Sequence, residues 1–164
     1  LGYGLDEHVW RRTVDYYLNR TSHGSTLSGL VHGWVLARDR RAEAWRFCLE
    51  ALRGDIADLQ GGTTGESIHL GAMAGTLDLV QRGLTGLETR AGALWLDPVP
   101  LPELSSYRFS IQYQGHWGVH LRLEHGRMEI TVPPSDRPPI DIRLPDRSVG
   151  VEPGETCQLV LADY

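Results

Sequence analysis

The feature that most restricts this chain is a change of hydrophobic period part-way along it. Up to about residue 82 the apolar residues recur every three or four positions; from about residue 89 they alternate. A period near 3.6 suits helices and a period of two suits half-buried strands, and neither pattern serves as the other. A chain of 164 residues with one such switch reads as helices followed by strands. The boundary falls near Gly86–Gly92, which divides the chain into residues 1–88 and 89–164.

In the first part the spacing predicts four helices, over 6–19, 26–38, 41–53 and 65–82. Val9, Trp10, Val14, Tyr17 and Leu18 mark the first, and Leu27, Leu30, Val31, Trp34 and Val35 form one broad face of the second. Ala44, Phe47, Cys48 and Leu52 line the third, with Gly54 as its stop. The fourth carries Ile68, Leu70, Ala72, Met73, Leu77, Leu79 and Val80 almost all the way round, which predicts burial on most faces. Short connections make successive helices antiparallel, so the second and fourth run parallel and begin at the same end.

In the second part, "ALWLDP", "SYRFSIQYQ", "WGVHLRLEH", "RMEITVPP", "IDIRLP" and "TCQLVLAD" are short runs broken by glycine and proline. Phe109, Ile111 and Tyr113 alternate with Ser110 and Gln112. Val119, Leu121 and Leu123 alternate with His120, Arg122 and Glu124. Six or seven such strands predict a small antiparallel β-sandwich, jelly-roll-like in character.

Several function classes are set aside by composition. The net charge of −5 comes without a cluster of Lys and Arg, which argues against a nucleic-acid footprint. No apolar run has membrane-spanning length and no secretory pattern opens the chain, so a cytoplasmic protein is expected. The opening at Leu1 reads as a piece of something longer. Cys48 and Cys157 read as buried free thiols. His116 and His120 stand four apart in strand grammar, where they would share a face, but no cysteine or carboxylate is spaced to complete a metal site. His23, His32 and His125 offer none either, so no metal and no cofactor is expected.

The candidate chemistry lies at two helix starts, "TSHGSTLSG" and "GGTTGESIHLG". A helix start exposes N–H groups and positive potential, and glycine lets a ligand come close to the backbone. Two such ends side by side, with Ser25, Thr26 and His69, would cradle a phosphate or another oxyanion, with Gly24 and Glu66 as neighbours. His69 would then sit on the second turn of its helix. Plainer readings stand beside this one. Ser25 or Thr26 caps a helix, Thr63 to Glu66 has the spacing of a capping box, and Gly71 and Gly75 let a neighbouring helix approach. His69 would then be a hydrogen-bonded core residue.

The order of the motifs "TSHGSTLSGLVHGWVLAR", "GTTGESIHLGAMAGTLDLVQRGLTGL" and "LWLDPVPLPELSSYRFSIQYQGHWGVHL" resembles the C-terminal part of glycoside hydrolase family 65. That family holds maltose, trehalose and kojibiose phosphorylases and related trehalose hydrolases. The resemblance implies the last helices of a catalytic (α/α)6 barrel followed by a C-terminal β-sandwich domain. It implies cleavage of an α-glucosidic disaccharide with inversion, by inorganic phosphate in the phosphorylases and by water in the hydrolases. Ser25, Thr26 and His69 match the phosphate side. The family's general-acid glutamate has no match in this chain, and Glu66 is not that residue. The resemblance therefore implies one part of an active centre, inactive alone, whose partners are disaccharide, phosphate and either the remaining barrel helices or a second copy.

A different reading makes the chain a non-catalytic carbohydrate-binding or interaction module. It is motivated by Trp95, Tyr107, Tyr113 and Trp117 in the strand-forming part. Core packing is the competing explanation, and burial of Tyr113 and Trp117 would decide for it.

Overall fold

A computed structural model describes residues 6–22, 24–37, 39–58, 65, 68–98 and 103–161. The chain divides into two compact units, Leu1–Leu79 and Val80–Tyr164.

The first unit contains helices α1 (Glu7–Leu18), α2 (Thr26–Leu36), α3 (Arg41–Arg53) and α4 (Leu70–Asp78). Asp6 caps α1 by accepting from the His8 and Val9 N–H groups. Ser25 caps α2, its extended backbone turning the hydroxyl back onto the Leu27 N–H at 3.3 Å. Helix α3 ends at Gly54, whose N–H reaches the Ala51 carbonyl. Beyond α4 the chain continues through a five-residue π-turn, Leu79–Gly83.

Glycines fix how three of these helices pack. A Cβ at Gly29 would stand 3.8 Å from Phe47, and one at Gly54 would stand 3.6 Å from Thr26. The start of α2 therefore meets the end of α3, and the two run antiparallel. Between α2 and α4 the partners rise together: Leu27 against Gly71, Leu30 against Gly75, and Gly33 against Leu79. These helices are parallel and begin at one end, the relation expected from the sequence, although the connection from Arg53 to Leu70 is a long one. A Cβ at Gly75 would overlap the Leu30 Cδ2 methyl outright.

The buried stripe is narrower than the periodicity suggests. In α2 it is Leu30, Gly33 and Leu36, while Val31 and Val35 stay exposed. In α3, Ala51 rather than Leu52 completes the row of Ala44, Phe47 and Cys48. Helix α4 buries Ala72 and Thr76 with Leu79 beyond it, whereas Ile68, Leu70 and Leu77 face solvent. The expectation of a fourth helix buried on most faces is thus corrected. Trp10, Val14, Tyr17, Val31 and Val35 leave an apolar groove between α1 and α2. Such uncovered apolar surface is characteristic of an interface.

The second unit has eight strands: β1 (Glu88–Arg90), β2 (Ala93–Trp95), β3 (Ser106–Tyr113), β4 (His116–Glu124), β5 (Arg127–Thr131), β6 (Ile140–Arg143), β7 (Ser148–Val151) and β8 (Thr156–Val160). They form two four-stranded sheets, β1-β2-β6-β7 and β3-β4-β5-β8. Both supply one buried cluster, with Leu94, Ile140, Ile142 and Val151 from the first and Val119, Leu121, Ile130 and Leu159 from the second. The alternation read in β3 and β4 points its apolar members into this cluster. All pairings are antiparallel except β2 with β6, which is parallel and departs from the all-antiparallel expectation. Three hairpins turn on two residues with positive φ at both, Ala91–Gly92, Gln114–Gly115 and His125–Gly126. These are the mirror-image turns whose twist suits paired strands.

A bulge in β4 changes which residues face in. The register slips between Ile111 and Gln112, so that Ile111 pairs with Val119 and Gln112 with Trp117. Gly118, at φ +81°, takes up the extra residue. Trp117 is turned outward and is 74 % exposed, while His116 is wholly buried. His116 and His120 therefore lie on opposite faces, contrary to their spacing. Tyr113 is buried, Tyr107 packs on the core, and Trp95 lies under the guanidinium groups of Arg90 and Arg143. Cys48 is buried and Cys157 half-buried; both are free, and burial pushes both thiols above the usual range.

The α2–α4 seam yields a prediction. Gly75→Ala is expected to cost about 1–3 kcal/mol through overpacking against Leu30, more than the roughly 1 kcal/mol alanine gains in a helix. Gly71→Ala, whose Cβ would sit 3.8 Å from Leu27, is expected to be neutral or stabilising. Thermal unfolding of the two variants by circular dichroism checks the contrast.

Candidate functional site

Three helix ends meet in the first unit: the start of α2, the end of α3 and the start of α4. Gly54 brings the α3 end against Thr26, and the next residue, Asp55, turns toward His69. Its Oδ1 accepts from His69 Nδ1 at 2.5 Å, and its Oδ2 accepts from the His69 backbone N–H at 2.9 Å. One carboxylate thus holds both the ring and the backbone of a single residue. Asp55 is 11 % exposed and His69 30 % exposed, so the pair is sheltered but reachable.

This clamp explains where α4 begins. His69 has ψ 74° and is the N-cap of α4, not a member of its second turn. The predicted start at residue 65 is corrected accordingly to Leu70, while the helical run continues through the π-turn to Gly83, next to the predicted end at 82. The His69 side chain makes no capping hydrogen bond to it; the Leu70 N–H reaches back to the Ile68 carbonyl at 2.9 Å. The Gly71 N–H has no intramolecular acceptor among the described residues, and Gly71 is exposed. An open N–H at a helix start is the group that receives anions.

The sequence-predicted residues are distributed as follows. Ser25 is the α2 N-cap, which bears out its capping reading. Thr26 opens α2 beside Gly54, and Gly24 is exposed with space around it. His69 stands at the start of α4, the end shared with Ser25 and Thr26. Glu66 and the Thr63–Thr64 pair lie outside the described residues.

Asp55 is the residue that sequence reading missed. Its only local signal is an acidic residue directly after the glycine that stops α3. A carboxylate can only accept, so Nδ1 carries the shared proton. Nε2 has no hydrogen-bond partner among the described residues.

The other histidines have different employment. His116 bonds the Pro138 carbonyl through Nε2 and the Ser135 hydroxyl through Nδ1, each at 3.0 Å. His120 shares a hydrogen bond with Ser110, and His32 uses Nδ1 on the Ser28 carbonyl. Among the described residues, no three His, Cys, Asp or Glu side chains are grouped to hold a metal ion. No described helix is long and apolar enough to cross a membrane.

Comparison with known proteins gives the setting. Residues 1–78 match the model of the glycosyl hydrolase family 65 central catalytic domain, and residues 87–151 match that family's C-terminal domain. An uncharacterized glycosyl hydrolase of Mycobacterium tuberculosis is 46 % identical over 142 residues, covering 87 % of this chain and 11 % of its own length. Trehalose 6-phosphate phosphorylase of Lactococcus lactis is 34 % identical, over 80 % of this chain and 17 % of its own. Alpha,alpha-trehalose phosphorylase of Geobacillus stearothermophilus is 36 % identical, over 67 % of this chain and 14 % of its own. A solved structure from the human microbiome, named as a kojibiose phosphorylase, shares the fold with a TM-score of 0.81 at 21 % identity, covering 95 % of this chain and 20 % of that one. The chain thus spans less than a fifth of the length of these curated relatives.

The capping role of Ser25 is separable from any ligand role. Ser25→Ala should lower stability by about 1 kcal/mol, and Ser25→Gly by only a few tenths. Urea unfolding of the helical unit measures the difference.

Proposed function

Since the chain belongs to glycoside hydrolase family 65, we propose that it is the C-terminal portion of an inverting phosphorylase acting on an α-glucosidic disaccharide of the trehalose, maltose or kojibiose type. In this reading residues 1–88 are the last helices of an (α/α)6 barrel and residues 89–164 a β-sandwich domain. The whole enzyme works in the cytoplasm, and the apolar groove between α1 and α2 is covered by the remaining barrel or by a second copy.

The observation that carries the reading is the junction of helix ends. The parallel starts of α2 and α4, with the Asp55-held ring of His69 at one of them, supply N–H groups and an imidazole to one anion. Ser25, Thr26 and His69 bind phosphate there, with Gly24 and Glu66 beside them. Phosphate attacks the anomeric carbon while a glutamic acid on another part of the barrel protonates the leaving sugar oxygen, and β-glucose 1-phosphate is released. No catalytic acid is assigned within this chain. Water in place of phosphate is the hydrolytic form of the same chemistry, and the relatives named as phosphorylases favour phosphate.

The second reading, a sugar-binding β-domain, now rests chiefly on Trp117, because Tyr113 is buried, Tyr107 packs on the core and Trp95 lies under Arg90 and Arg143. Quenching of its fluorescence by maltodextrin, lost in Trp117→Ala, is the test.

In the full-length enzyme, His69→Ala should raise the KM for phosphate about tenfold or more, through loss of one charge-assisted hydrogen bond. Sugar affinity should change little, because a neutral sugar gains little from that donor. Varying phosphate or arsenate measures the effect; a fall in Tm with phosphate dependence untouched would make His69 a purely structural residue. The 164-residue chain by itself should not turn over disaccharide, with or without phosphate. Turnover abolished by Glu66→Gln would overturn the assignment of the acid elsewhere.

A further inference from the structure

Among the described residues the Asp55 carboxylate bonds nothing except His69. Resting on the phosphate reading of His69, we propose that Asp55 is a positioning residue: it holds the imidazole where inorganic phosphate meets it, and so sets phosphate affinity without touching phosphate.

The backbone of His69 is fixed on both sides of its Cα. Its carbonyl accepts from the Ala72 and Met73 N–H groups at 2.9 and 3.1 Å, which starts α4, and its N–H donates to Asp55 Oδ2 at 2.9 Å. The far end of the side chain is then tied as well, by Nδ1 to Asp55 Oδ1 at 2.5 Å. A side chain anchored at both ends of its rotatable bonds keeps one rotamer, whereas one anchored only at Cβ samples several. Turning the ring over would put a carbon where Nδ1 stands and lose the bond. Nε2 is thereby kept at one place relative to the start of α4.

Asp55 is itself held in place. Its side chain is 11 % exposed, and it follows Gly54, where a Cβ would stand 3.6 Å from the Thr26 methyl. No arginine or lysine pairs with its carboxylate among the described residues, so it does not serve the fold as half of an ion pair with one of them. A line of contacts runs from Thr26 through Gly54 and Asp55 to His69. It joins the start of α2 to the start of α4, the two ends proposed to share one anion. A donor set in place before the ligand arrives gives up less freedom on binding, and that gain appears as affinity.

The test is a double-mutant cycle in the full-length enzyme, read as KM for inorganic phosphate against KM for disaccharide. Asp55→Ala should raise phosphate KM about three- to tenfold, no more than His69→Ala does, and change disaccharide KM by less than about twofold. Because Asp55 acts through the ring, the double variant should match His69→Ala in phosphate KM to within about twofold. Effects that multiply would overturn the inference, and so would an equal rise in both KM values. A lower Tm with both KM values unchanged would make Asp55 a purely structural residue and overturn it too. Asp55→Glu keeps the carboxylate but moves it outward by one methylene, which should displace the ring and raise phosphate KM about threefold or more while Tm stays near that of the unaltered enzyme. If Asp55→Ala does not fold, the same cycle is run with Asp55→Glu, and an unchanged phosphate KM there overturns the inference. If His69→Ala leaves phosphate KM unchanged, the phosphate reading itself fails. If it raises that KM while the Asp55 variants do not, only the role of Asp55 fails.

Discussion

The close approach of α2 and α4 is the constraint on which the helix-end site depends. Leu30 occupies the space a side chain at position 75 would need, and Leu79 presses on Gly33 a turn and more further along. Contacts that rise in step on both helices allow only a parallel arrangement, and they bring both starts to one level. The antiparallel α3 then delivers its end to the same place, since Gly54 lets its backbone lie against Thr26. Asp55 is the first residue past that end. The clamp on His69 therefore follows from how three helices pack, and packing follows from where side chains are missing.

That dependence explains what could and could not be read from the sequence. Existence and ends of α1, α2 and α3 were legible because Asp6, Ser25 and Gly54 are strong local signals. The inward stripe of α2 was not, because its apolar face is broad and a buried glycine, Gly33, leaves no mark in a hydrophobic pattern. The start of α4 was misplaced because a contact fourteen residues away, Asp55 to His69, overrides local helix preference. Ser25, Thr26 and His69, the residues proposed for the phosphate side, were found through their motifs, and Asp55, which holds the ring of one of them, was not. A carboxylate that acts through another residue has no periodicity of its own.

The second unit repeats the lesson with strands. The alternation in β3 and β4 gave their buried faces correctly up to the bulge, where one glycine exchanged the roles of two neighbours. Had the pleat run on unbroken, Trp117 would face the core and His116 the solvent. Instead the buried His116 ring holds Ser135 and Pro138, in the segment that leads into β6. The polar strand β1 and the short β7 carry too little apolar alternation to be seen.

The parallel pairing of β2 with β6 sets an order of assembly. Strands β3, β4 and β5 join through two-residue turns and can zip together from local contacts alone. The pairing of β2 with β6 has all three of those strands in its loop, and closing a long loop costs chain entropy before any contact repays it. Loop-closure cost therefore favours the three-stranded meander forming before β2 and β6 pair. Until that pairing closes, the edge of β2 that carries Leu94 is an unpaired strand edge, the kind of surface that can pair with a wrong strand.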